Sequence, residues 1–423
     1  MRRAFGVAIV LAILAAIFGP FNRISSPTPA TLQLLPRSSP AFPPPAGPVF
    51  SPPIRVCLTP TPVDELALSI DGPYELRALG GAQVLARGER LPATTVTTIA
   101  GGLRIGRTEH RTRALEIVAK SPPAIWVGDH QYRGNVRLFR QSNGRILAVN
   151  VLPVEQYLAS VVDSEMPIAF GEAARQAQSI VARTYAHYRR LEARGHPHFE
   201  VYNTSQSQRY LGFQYRASDG RRLAGESESS RTIVASTAAV VCTWDGKLFS
   251  TYYSACCGGR TTQGDRVFTD AVPALKSVPC QWCSDAKLYR WTESVPKEKI
   301  AADLRDHFSA EKRPFGTVAT LRLSTRQDPV GVPVVEASDG RNRHPISAAT
   351  LRRQLAAVSL PSPNFQVTTT EDAFEFEGRG HGHGVGLCQW GARGQGLAGR
   401  TCREILSHYY PGAHLVRITG ETP

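Results

Sequence analysis

Acidic residues are scarce in this chain of 423: Asp and Glu total 35 against 49 Lys and Arg, a formal net charge of +14. The surplus does not point to nucleic acid, because the arginines are scattered rather than gathered into a stripe and no RNA- or DNA-binding motif is present. Charged residues are few overall, at 20%, and with 42% hydrophobic residues the chain is neither disordered nor fibrous in composition. No repeat of solenoid or propeller period occurs. Such a length accommodates one large or two ordinary domains with ample core.

The clearest long hydrophobic run is residues 4–18, preceded by Arg2 and Arg3. Its length suits a signal-peptide core and falls short of the roughly 20 residues a spanning helix prefers. A small-x-small cleavage site is missing, since Gly19-Pro20-Phe21-Asn22 follows instead. Residues 1–22 therefore read as a signal peptide or an uncleaved membrane anchor, and either implies export. Residues 23–53 are Pro/Ser-rich, with Pro43-Pro44-Pro45 and Pro52-Pro53, and read as a semi-rigid linker.

Eight cysteines, Cys57, Cys242, Cys256, Cys257, Cys280, Cys283, Cys388 and Cys402, give no second CxxC to partner Cys280-Gln-Trp-Cys283. In an exported chain the even count favours disulfides, with pairing left open. A structural zinc at Cys256, Cys257, Cys280 and Cys283, or with Cys388 as a ligand, is the alternative. Neither supplies a catalytic thiol, and no catalytic cofactor is expected.

Residues 54–136 read as short strands punctuated by Asp71-Gly72 and Gly80-Gly81, the composition of hairpins. Residues 137–140 and 145–152 continue them, and residues 155–162 form a buried strand or helix. From Gly171 to about Gly195, Ala173, Ala177, Ile180, Val181, Thr184, Tyr188 and Leu191 recur at helical spacing. This predicts a long helix with one buried face, leaving Arg175, Gln178 and His187 outside the stripe. Strands are expected at 232–242 and 248–254, and Thr401 with Glu404 forms a capping box that opens a helix through Tyr409. The fold class is α+β: a β-rich part over 54–136, then a mixed domain over 137–423.

Three segments carry possible chemistry. In Ser164-Glu165-Met166-Pro167, proline keeps Met166 out of helical geometry, so Glu165 should sit on a constrained turn. A helix start nearby would lower its pKa, while apolar Met166, Ile168 and Phe170 would raise it. The plain alternative is a carboxylate that caps a helix or pairs with an arginine. Glycine alternates from Gly378 to Gly386 and returns at Gly391, which indicates a backbone passing very close to a ligand, an anion or a second backbone. No Walker lysine is present there, and His381 and His383 alternate like strand neighbours, pointing apart. The third, residues 250–262, runs a strand into a Gly-Gly turn flanked by hydroxyls and Arg260, groups that suit sugars, carboxylates or an ordinary polar turn.

Taken in order, these segments resemble the SpoIID/LytB family. The resemblance rests on Val151-Leu-Pro-Val-Glu-Gln-Tyr-Leu, Glu165-Met-Pro, Ala177-Gln-Ser-Ile-Val-Ala-Arg-Thr-Tyr185, Tyr252-Tyr-Ser, Gly258-Gly-Arg-Thr261, Gly380-His-Gly-His-Gly-Val-Gly-Leu-Cys-Gln-Trp-Gly-Ala392 and Ile405-Leu-Ser-His-Tyr-Tyr-Pro-Gly412. It implies a peptidoglycan lytic transglycosylase acting on glycan strands, with Glu165 catalytic and Gln178, Arg183, Ser254, Arg260, His383 and Gln389 binding substrate. The basic charge then suits anionic wall polymers or peptide-stem carboxylates. The zinc ligands some relatives carry after the long helix are replaced here by Tyr202, Gln206 and Ser207. Two other readings stand beside this one: a non-catalytic wall-binding activator of an amidase, and a zinc-dependent hydrolase. No open three-ligand site can be read for the last.

Overall fold

The computed structural model describes residues 31–35, 42–45, 47–80, 83–193, 195, 197–327, 333–355 and 360–419. The N-terminal targeting segment and part of the linker lie outside the described residues. Among those described, no helix is long and apolar enough to cross a membrane.

Alternating apolar residues dictate the first layer. In Glu65–Ile70, Leu66, Leu68 and Ile70 face inward while Glu65 and Ala67 face solvent, the period-2 pattern of a half-buried strand. Eight strands, Glu65–Ile70 and Leu91–Ile99 among them, form one antiparallel sheet; a second of seven centres on Ile146–Pro153 and Asn135–Arg140. Leu66, Ile70 and Val96 from the first share a core with Ile54, Leu115 and Val136 from the second. The fold is thus α+β with a β-rich N-terminal region, as expected.

Two helices close this core. Helix α1 (Val154–Glu165) follows Ile146–Pro153 directly and buries Tyr157, Leu158, Val161 and Val162. After a single 3-10 turn, α2 (Glu172–Glu192) runs through the centre of the protein. Its expected single buried face is corrected by the structure: from Ala174 to His187 nearly every side is covered, Arg175, Gln178 and His187 included. The polar groups are buried because they have partners. Arg175 pairs with Asp163, and Arg183, fully buried, meets both carboxylate oxygens of Glu155 at 2.7 and 2.8 Å and also donates to the carbonyls of Val234 and Val240.

Two strand expectations also change. Residues 232–242 begin inside α3 (Glu228–Ser236), capped by Ser227, and only Val240–Trp244 is a strand. The expected 248–254 strand is interrupted, leaving Lys247–Leu248 and Tyr253–Ser254. The linker is not wholly a spacer: Thr31–Leu34 pairs antiparallel with His414–Thr419, and Phe42 is buried in the second core.

A third core stands apart. Arg290–Pro296, α4 (Lys297–Ala310), the strands Thr320–Gln327, Pro333–Ser338 and Arg343–Ser347, α5 (Ala348–Gln354), Phe365–Thr369 and Ala373–Arg379 gather around Leu304, Phe308, Leu321, Phe374 and Phe376. The chain enters and leaves this unit on paired antiparallel strands, with Arg290 opposite Arg379. It then turns through α6 (Gln389–Leu397) and α7 (Cys402–Tyr409), the latter opened by the Thr401–Glu404 capping box.

Replacing Arg183 by leucine leaves the largely buried Glu155 carboxylate without its ion-pair partner. Such a loss is expected to cost about 3–5 kcal/mol; a change below about 1 kcal/mol in urea unfolding would contradict this account of α2.

Candidate active site

Glu165 is the last residue of α1. Pro167 forces Met166 into an extended conformation (φ −134°, ψ 117°), which ends the helix as expected. Met166 and Phe170 are buried in the second core and fix the turn. The sequence suggested a helix start beside Glu165; the structure places it at a helix C-terminus, where the dipole disfavours negative charge. Its Oε1 accepts the Arg209 amide at 2.9 Å, and its Oε2 accepts the Gln389 side-chain amide at 3.3 Å. Enclosure raises the Glu165 pKa above the ordinary carboxyl value, against the lowering pull of the Arg209 amide, Gln389, Tyr253 and the Arg209 charge. Among the described residues no cation forms an ion pair with it.

The opposite wall is a short parallel pair, Tyr253–Ser254 against Leu387–Cys388. The alternating glycines make this pairing possible, and the partner they approach is a second backbone. At Gly386 (φ +71°) any Cβ would run into the Tyr252 carbonyl, and at Gly380 (φ +83°) it would lie 2.7 Å from the Cys256 carbonyl. Gln389 begins α6 directly after the pair, and its Nε2 reaches the Gln178 Oε1 at 3.4 Å as well as Glu165. The Tyr253 hydroxyl, the Ser254 Oγ and the Gln178 Nε2 are buried without a hydrogen-bond partner. Buried polar atoms are normally satisfied, so unsatisfied ones on Tyr253 and Gln178, beside Glu165 and Gln389, suit a ligand's hydroxyls and amides.

Gln178 and Gln389 are thus brought to Glu165, and Ser254 lies on the facing strand. The other three behave differently. His383 accepts the Val385 amide at 3.1 Å on Nδ1, so the neutral ring carries its proton on Nε2. Burial lowers its pKa to about 4, and it stands edge-on to Phe268 at 5.0 Å, bracing the Tyr252–Tyr253 segment. Arg183 is committed to Glu155, near the opposite end of α1 from Glu165. Arg260 is exposed, beside the bridge its backbone makes with Pro279. Two contributors escaped the sequence reading. Tyr253 sat within a quoted motif, but nothing distinguished it from Tyr252; the Arg209 contact is a backbone amide, which no side-chain pattern reveals.

The cysteine expectation is corrected. All eight are free thiols, and four of them, Cys257, Cys280, Cys283 and Cys388, bring their sulfurs within 4.8 Å of one another. Cys388 takes the place proposed for Cys256, so this cluster could hold a metal. A separate cavity of about 520 Å3, lined by Val49, Glu155, Glu226 and Arg231 among others, excludes Glu165. Its carboxylates are already bound by Arg183 and Arg133.

Residues 142–244, which include α1, Glu165 and α2, match the family described as Stage II sporulation protein. The resemblance read from the motifs is borne out. Residues 281–386 match a family described as a domain of unknown function (DUF8618), and these span the third core. An uncharacterized protein of Brachyspira hyodysenteriae is 29% identical over 302 residues, 71% of this chain and 76% of that one. Stage II sporulation protein D of Bacillus amyloliquefaciens is 26% identical over 330 residues, 74% of this chain and 85% of that one. The amidase enhancer of Bacillus subtilis is 25% identical over 301 residues, 61% of this chain but only 40% of that protein.

Because the folded pKa of Glu165 is raised, its neutral form stabilises the fold below the ordinary carboxyl pKa, and that contribution is lost as pH rises through the folded value. Glu165→Gln should therefore have the higher Tm at neutral pH, with the advantage shrinking towards pH 4. A wild-type protein at least as stable as the variant at neutral pH would refute the direction of the shift.

Proposed function

We propose that the protein is a peptidoglycan lytic transglycosylase of the cell envelope, cutting the bond between N-acetylmuramic acid and N-acetylglucosamine with Glu165 as its single acid/base. The observation that carries this reading is a carboxyl whose pKa is raised by enclosure, held by the neutral amides of Arg209 and Gln389, with the Tyr253 side chain and, through Gln389, Gln178 beside it. A raised pKa keeps the carboxyl protonated closer to neutrality, as a general acid requires.

Ordinary glycosidases use two carboxylates, the second activating water or attacking the sugar. Here no second carboxylate is among the groups acting most strongly on Glu165, and Asp163, two residues away, is held by Arg175 and the Ser227 amide. One carboxyl is enough if the nucleophile belongs to the substrate. Glu165 gives its proton to the glycosidic oxygen as the bond to C1 breaks. The resulting carboxylate takes the proton of the muramic acid 6-hydroxyl as that oxygen bonds to C1, which closes a 1,6-anhydro ring and restores the acid. Intramolecular attack supplies the effective concentration that a bound water would lack. The Arg209 and Gln389 amides steady the carboxylate between the two transfers.

The relative named amidase enhancer favours a second reading, in which the groove binds glycan and the protein activates a cell-wall amidase without cutting. Incubation with glycan strands freed of stem peptides separates the two. Mass spectrometry should find anhydromuramoyl ends with the wild type, and a loss of at least about 100-fold with Glu165→Gln, the scale of general acid–base catalysis. Absence of fragments from both proteins, with amidase stimulation intact in the variant, would select the second reading.

A further inference from the structure

Cys257, Cys280, Cys283 and Cys388 are all buried, and their four sulfurs come from three separate stretches of chain, Cys280 and Cys283 standing at the two ends of one tight loop. A disulfide needs sulfurs about 2.05 Å apart, and none of the eight cysteines is so paired. A tetrahedral zinc about 2.3 Å from each thiolate instead places its ligands about 3.8 Å from one another. The Cys257 and Cys283 sulfurs are 3.7 Å apart.

The surroundings are built for thiolates. The Cys388 sulfur accepts two backbone amides, from Cys257 and Gly391, each at 3.3 Å, and the Cys280 sulfur lies 3.1 Å from the Tyr409 hydroxyl. Donors of this kind offset the charge of a tetrathiolate and orient its ligands. Gly391 is required for the approach, since a Cβ there would stand 2.6 Å from the Cys280 sulfur. Cys256, the immediate neighbour of Cys257, is not one of the four; its sulfur is 3.9 Å from the Cys283 carbonyl oxygen.

We infer that Cys257, Cys280, Cys283 and Cys388 bind one structural zinc ion, which pins the root of the unit spanning residues 290–379 and holds Gln389 against Glu165. Cys280 and Cys283 precede the strand Arg290–Pro296 by which the chain enters that unit, and Cys388 follows the strand Ala373–Arg379 by which it returns. Cys257 belongs to the turn after Tyr253–Ser254, and Gln389 is the residue after Cys388. Four closed thiolate positions leave no place for water or substrate on the metal, so its role is mechanical. This assignment stands independently of the glycan-cleaving reading.

Elemental analysis of the full chain, purified in zinc-containing medium and desalted, should give one zinc per chain for the wild type and for Cys256→Ser. Cobalt exchanged into the wild type should show the strong visible ligand-field and thiolate charge-transfer bands of a tetrahedral sulfur site. Alkylation under denaturing, non-reducing conditions with a chelator should modify all eight cysteines. Cys388→Ser should lose zinc and raise the proteolytic susceptibility of the segment between residues 283 and 388. Wild-type protein without stoichiometric zinc, a disulfide joining any two of the four, bound iron in place of zinc, or zinc retained in full by Cys388→Ser would overturn the assignment; the wild-type measurements decide even if the serine variant does not fold.

Discussion

The surroundings of Glu165 depend on two backbones lying side by side: Tyr253–Ser254 and Leu387–Cys388, brought together over more than a hundred residues of sequence. Parallel pairing at this distance is made by chain topology rather than by a local turn. It requires the close approach that glycine at 380 and 386 permits, and a side chain at either place would push the strands apart. From that contact follow the position of Gln389, the burial of Ser254 and the reach of one amide towards both Glu165 and Gln178.

Against this wall, α1 and α2 act as a rigid support. Tyr157 and Val161 of α1 share the sheet core with Ala182 and Tyr185 of α2, while Arg175 and Arg183 tie the two helices through Asp163 and Glu155. Glu165 therefore hangs from the end of an element fixed along its whole length. Its elevated pKa arises from the same placement: enclosure outweighs the neutral donors, and no ion pair among the described residues offsets it.

Much of this could be read from the residues. The alternation in 65–70, the long helix after Gly171, the Thr401 capping box and the proline that stops α1 each have a local cause, and each appears where that cause puts it. What failed was long-range. Arg183 looked available for substrate because its partner, Glu155, lies 28 residues earlier and becomes a neighbour only when α1 folds against α2. The helix at 228–236 was missed because β-branched Thr232, Ile233 and Val234 outweighed the Ser227 cap that starts it. Cys388 was harder to choose over Cys256, since only the glycine-lined return of the chain carries it to the other sulfurs.

The neighbouring entry and exit of the unit at 290–379 have a consequence for how such a chain can vary. Arg290 faces Arg379 across one strand pair, so the gap between the two stems is set by a single ladder whatever the number of residues beyond it. Insertions, deletions or an exchanged module in that region would leave the stem separation where it is. The architecture thus lets the outer surface diversify freely while its chemistry stays in register.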